Sequence, residues 1–200
     1  MSPRRYDRKL RLAAAEEAKR RIVEAAASLH SKYGGMGTSH AMIAQEAGVS
    51  IPTVYKYFPT RDDLIPACTG LVASKAPVVL DGRLFDGLRE VPDRVQALAR
   101  ALFRLHEYYG PWLRWTEADA AEIPALREYL DAGRKARLEL VRVALTPEGE
   151  APAPETLVQL AHVLLEAPSW RTLTASTRST ERAAAMAADA VITLYRRHRR

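Results

Sequence analysis

Two segments of the 200-residue chain hold side chains that could do chemistry. The first is Ile43–Phe58, where Ile51, Pro52, Tyr55 and Lys56 share one face of a short helix. That face suits the edge of a nucleic-acid duplex. Lys56 can reach a guanine O6/N7 or a phosphate, and Ile51 and Pro52 can meet only apolar groups such as a thymine methyl. The second segment runs from Val91 past Trp115 and holds Phe103, His106, Tyr108, Tyr109, Trp112 and Trp115, with Tyr129 and Trp170 further along. Aromatic rings around one imidazole suit an apolar pocket with a few polar handles. The same residues also suit ordinary packing around Gly110-Pro111.

Other chemistries find less support. The five histidines (His30, His40, His106, His162, His198) show no pair at metal spacing. Glu117, Asp119 and Glu122 read as the solvated face of a helix, because a carboxylate site needs ligands converging from several segments. No nucleophile elbow, phosphate loop or dinucleotide glycine pattern is present. Catalytic residues, metal ligands and cofactors are therefore expected to be none. Cys68 is the single cysteine, which excludes an internal disulfide framework and any multi-cysteine cluster. It has no activating neighbour in sequence, so redox sensing is the lesser reading.

The elements that must position these residues are helices. Ile22, Ala25, Ala26, Leu29 and Tyr33 repeat at helical spacing over Glu17–Tyr33, and Gly34-Gly35 stops the run. Thr38 or Ser39 caps a second helix that ends at Gly48, and Ser50 caps a third with Pro52 in its first turn. Thr60-Arg61-Asp62-Asp63 has the form of a capping box opening a fourth. Two short helices around Gly48, locked by Ile43, Val49 and Val54, make a helix-turn-helix whose second helix fits a major groove. Phe58 reads as core, and Tyr55 as facing outward rather than joining it.

Longer helices are predicted over Leu64–Ala76, Val91–Tyr109, Ala118–Leu130, Ala132–Leu145, Glu155–Ala167 and Thr180–Arg197, with a break at Pro124. Thr146–Pro154 reads as a loop, and Val78-Val79-Leu80 is the best strand candidate, too short to build a sheet.

Charge is uneven along the chain. Residues 1–65 carry +4, residues 66–195 carry −2 and the final five residues +4, for a total of +6. A basic head on a near-neutral body suits a polyanion at one end; solubilising tails at both ends are the plainer reading. Hydrophobic residues at 48% and charged residues at 27% exclude global disorder. No apolar run approaches the roughly 18 residues of a membrane span, and no signal core follows the basic N-terminus. The cytoplasm, in contact with the nucleoid, is the expected compartment, and no membrane partner is expected.

Arg21–Ile65 resembles the DNA-binding domain of the TetR (tetracycline repressor-type) transcriptional regulators. The resemblance rests on Ala25-Ala26, Leu29, Ile43-Ala44, Ala47-Gly48-Val49-Ser50, Thr53-Val54-Tyr55, Tyr57-Phe58 and Arg61-Asp62-Asp63-Leu64. It implies an all-α chain: a basic arm (1–15), a three-helix helix-turn-helix domain (16–65) and a helical ligand-binding and dimerisation domain (66–200). It implies a homodimer on a palindromic operator, released by a small-molecule inducer; the aromatic cluster of the body suits an apolar or aromatic one. Carried over by position, Thr38 and Ser39 would approach phosphate. Ile51, Pro52, Tyr55 and Lys56 would face the groove, and Thr53, Tyr57 and Arg61 would clamp phosphates. Pro52 stands where Gly is common, Ile51 is not a polar reader, and Arg61 replaces a usual Lys.

The arm could lie in a neighbouring minor groove or be a disordered tail. The candidate ligand residues are Phe103, His106, Trp112, Trp115, Tyr129 and Trp170. Ala183, Ala187, Ala190, Val191 and Leu194 in the last helix, with Leu157, Leu160, Ala161 and Leu164 in Glu155–Ala167, form stripes for a four-helix dimer interface. Their alternative use is burial within one subunit. The competing function is a small helical ligand-binding or catalytic protein in which the helix-turn-helix only packs.

Overall fold

Helix signals written in the sequence are realised first where they are local. The computed structural model describes residues 3–199, with side chains from Lys9 onward. The basic side chains Arg4, Arg5 and Arg8 of the predicted arm lie outside the described residues. Among the described residues every regular element is helical, and Val78-Val79-Leu80 forms no strand. The α-helices are α1 (Pro3–Tyr33), α2 (His40–Ala47), α3 (Ile51–Tyr57), α4 (Arg61–Ser74), α5 (Val91–Leu113), α6 (Thr116–Glu122), α7 (Pro124–Leu145), α8 (Glu155–Leu165), α9 (Ala167–Thr177) and α10 (Thr180–His198). A 3₁₀ turn spans Gly82–Phe85.

Several elements differ from the sequence reading. Helix α1 starts at Pro3 rather than Glu17, because Ala13–Glu17 consists of strong helix formers and Arg20 pairs with both Glu17 and Glu24 one turn away on either side. Helix α5 passes through Pro111 to Leu113. Helix α7 is continuous across Asp131-Ala132, where no breaker stands, although the chain does break before Pro124. Helix α9 was not predicted. Its Ser and Thr residues are weak helix formers, and it is held by Trp170 and Leu173 packing on a buried cluster.

The chain forms two compact units. The first holds residues up to Lys75 together with Arg114–Tyr129. Its core joins Ile22, Ala26 and Leu29 of α1 to Ile43 and Ala47 of α2, Val54 of α3, Phe58, and Leu64 and Cys68 of α4. The second holds Ala76–Leu113 and Leu130–Arg200. There Leu98, Leu102 and Phe103 of α5 pack with Val141 and Leu145 of α7, Val158 and Leu165 of α8 and the alanine face of α10. Small residues at 183, 184, 187 and 188 let the helices approach closely. The first unit runs past residue 65 to take in all of α4, and α6 with its flanks joins it from beyond Leu113.

The stripes predicted for dimerisation are largely turned inward. Leu157, Ala161, Ala183, Ala187 and Val191 are buried in the second unit's own core. The large hydrophobic side chains that α8 and α10 leave exposed are Leu160, Val163 and Met186.

Candidate nucleic-acid interface

Gly48 makes the helix-turn-helix. Its φ of +61° is left-handed, a conformation that favours glycine, and its N–H closes α2 on the Ala44 and Gln45 carbonyls. Ser50 then caps α3: its hydroxyl oxygen accepts the Thr53 N–H at 3.3 Å and lies 2.7 Å from the Thr53 hydroxyl. With Val54 fully buried, the opposite face of α3 must be outward. Ile51, Pro52, Tyr55 and Lys56 are all exposed, and Phe58 is core as expected. Lys56 Nζ lies 5.5 Å from the Tyr57 ring, which is half-buried against the core.

Ser39 caps α2 by accepting the Met42 N–H at 3.2 Å, and the Thr60–Asp63 capping box opens α4, leaving Arg61 exposed at its first turn. Ser39, Tyr55 and Arg61 line one open cleft of about 460 Å³ together with His40, Thr60 and the acidic residues Asp62 and Glu122. Hydroxyl, phenol and guanidinium converging on one cleft can satisfy the oxygens of a phosphodiester.

Thr38 departs from its expected place. It is 2% exposed and its hydroxyl donates to the Gly34 carbonyl at 2.7 Å, so it braces the α1–α2 turn from inside. The same turn is held by Asp119, whose buried carboxylate accepts the Gly35 N–H at 2.6 Å and the Met36 N–H at 2.9 Å. Asp119 is therefore not part of a solvated face, although Glu117 and Glu122 are. Asp62 accepts the Ala125 N–H at 2.8 Å, and Trp115 Nε1–H donates to Ser31 at 3.3 Å. Residues more than 60 positions apart carry these contacts, and no local pattern announces them.

Of the six ligand candidates, the structure brings together Phe103, His106 and Trp170, with ring centroids 6.1 Å apart at each step. His106 Nε2 is 3.0 Å from the Leu165 carbonyl; a carbonyl only accepts, so this nitrogen carries the proton. Burial holds the imidazole below its ordinary pKa. Trp112 is half-buried beside Tyr108. Trp115 and Tyr129 belong to the first unit, Trp115 bound to α1 and Tyr129 exposed. Sequence reasoning missed Arg137, whose guanidinium grips Glu166 at 2.6 and 3.0 Å next to buried His162. Desolvation raises the Glu166 pKa, yet the arginine holds it below the ordinary value.

Cys68 is buried, and desolvation pushes its thiol up to about 12, so the reactive thiolate that redox sensing needs is disfavoured. Among the described residues no group of three His, Cys, Asp or Glu side chains could hold a metal ion, and no helix is long and apolar enough to cross a membrane.

Residues 22–68 match the sequence profile of bacterial regulatory proteins of the tetR family. The fold is similar to that of a protein assigned to the TetR-family transcriptional regulators from Rhodococcus sp. The two share 19% identity over 89% of this chain and 98% of that one, with a TM-score of 0.59. It is also similar to a transcriptional regulator from Rhodococcus sp. Rha1, at 22% identity, 87% and 95% coverage and a TM-score of 0.58. No curated protein matches the chain.

Proposed function

We propose that this chain, whose residues 22–68 are a tetR-family regulatory domain, is a ligand-responsive DNA-binding transcriptional regulator that acts as a repressor. The observation that carries the reading is the convergence of Ser39, Tyr55 and Arg61 on one cleft beside the exposed face of α3. Helix α3 enters the major groove. Ile51, Pro52, Tyr55 and Lys56 meet base edges and sugar-phosphate, while Ser39, Thr53, Tyr57 and Arg61 bind phosphate and set register.

The protein works as a homodimer on a palindromic operator, with half-sites about 34–36 Å apart. Exposed Leu160 and Val163 of α8 and Met186 of α10 support an interface on the outer faces of those helices, a two-fold four-helix contact. A small apolar or aromatic inducer binds the second unit, near the row Phe103, His106 and Trp170. By favouring one dimer geometry it makes simultaneous engagement of both half-sites unfavourable. The protein is not an enzyme and acts in the cytoplasm, on the nucleoid.

The test is binding to DNA fragments selected from the source genome, followed by fluorescence anisotropy at two salt concentrations. Affinity should fall steeply with salt, because neutralised phosphates release counterions. Absent or salt-insensitive binding would turn the reading towards a helical binding protein or enzyme in which the helix-turn-helix only packs. A thermal-shift screen with aromatic compounds tests the inducer: a true ligand raises the melting temperature and releases the DNA.

A further inference from the structure

Tyr55 is 51% exposed, yet its ring is not free. It lies flat on the imidazole of His40, centroids 4.5 Å apart and planes within 7°. His40 is the first residue of α2, so this stack joins the start of α2 to the exposed face of α3. The imidazole is itself anchored. Its Nε2 is 2.9 Å from the Phe58 carbonyl, and because a carbonyl only accepts, Nε2–H is the donor. Phe58 is the residue that ends α3. One side chain thus holds the ring of the outward tyrosine and the end of its helix, at the wall of the cleft that Ser39 and Arg61 also line.

We propose that His40 is a positioning residue for DNA contact, holding the Tyr55 phenol in its binding rotamer before the duplex arrives. An exposed tyrosine on a seven-residue helix would otherwise lose side-chain freedom on binding, which weakens affinity. The stack removes that loss in advance. The inference rests on the reading of this face as a duplex-binding surface.

A double-mutant cycle tests it, read by anisotropy on a labelled duplex selected from a random pool by the unsubstituted protein. His40→Ala should weaken binding by about threefold to tenfold per head, the fold-change expected of one aromatic pair. His40→Phe, which keeps a ring and drops the donor, should recover most of that loss. In a Tyr55→Ala background His40→Ala should have no further effect, whereas a merely structural role would weaken binding in both backgrounds alike. Should His40→Ala not fold, His40→Gln removes the ring and takes its place in the cycle. Equal losses with and without Tyr55, no loss on removing the ring, or no recovery with phenylalanine would each overturn the proposal. Those outcomes leave salt-dependent binding by the unsubstituted protein intact. If that binding is itself missing, the DNA-binding reading falls, and the role of His40 with it.

Discussion

In the first unit Tyr55 and Lys56 stand outward on a helix of seven residues, and the polar groups around them are caps and turn ligands. In the second unit Phe103 is wholly enclosed and His106 nearly so, in a core that spans five helices. A surface that meets a stiff external partner can be assembled from short helices, provided their ends are pinned by Ser39, Ser50 and the Thr60–Asp63 box. The interior of the second unit is built from packed side chains, where each polar atom must find a partner. His106 finds the Leu165 carbonyl, whereas Trp170 Nε1 and Thr174 Oγ1, one turn apart on α9, are buried without a protein partner.

The sharpest way to break this contrast is Phe103→Ala. If Phe103 is core, the variant should lose about 3–5 kcal/mol in urea unfolding, with DNA affinity unchanged while the protein remains folded. A well-tolerated truncation would instead mark Phe103 as the wall of an open pocket.

Acid titration separates the units next. Burial, partly offset by Asp119, lowers the His30 pKa from 6.5 to about 4 in the folded first unit. Between these values the unfolded chain takes up a proton that the folded chain refuses, so stability falls as pH drops from 6.5 towards about 4 and levels off below it. Up to roughly 3 kcal/mol is at stake, and His30→Met should remove that loss in pH-dependent unfolding. Acid lability that survives in the variant above the carboxylate range belongs to His106 and His162 of the second unit, whose pKa values burial also lowers.

Asp119→Ala should destabilise the protein by about 2–3 kcal/mol in the same urea assay, because it leaves the Gly35 and Met36 N–H groups without their acceptor. DNA binding should weaken too, since that turn leads directly into Ser39 and α2. Stability unchanged on truncation would mean that water replaces the carboxylate and that the turn holds itself.

The smallest effects distinguish phosphate from base contacts. Arg61→Ala should cost about 1–2 kcal/mol of affinity on every sequence and reduce the salt slope by about one, whereas Lys56→Ala should relax preference at one position. Equal losses for Lys56→Ala on selected and random duplexes would reclassify Lys56 as a phosphate contact.

The helix-turn-helix was legible because its determinants lie within a turn or two of each other. Gly48 requires a left-handed backbone, Ser50 and Thr60 precede their helices by one residue, and burial of Val54 at the centre of seven residues leaves only one outward face. Longer-range features were not legible in this way. Thr38 reads as a phosphate ligand by position, but the chain folds it under Gly34. Helix α9 carries weak helix formers and exists through its packing. The inward turn of the α10 alanines and the outward turn of Met186 depend on which side the rest of the second unit covers.

What the order of amino acids determined by itself was the set of helices around Gly48 and which residues of 51–57 could face a partner, since spacing and capping act within a few residues. Only the tertiary structure decided that Asp119 braces a turn 84 positions earlier and that Arg137 grips a glutamate 29 positions later. A buried charge is tolerated only beside a partner, and folding alone brings such distant partners together.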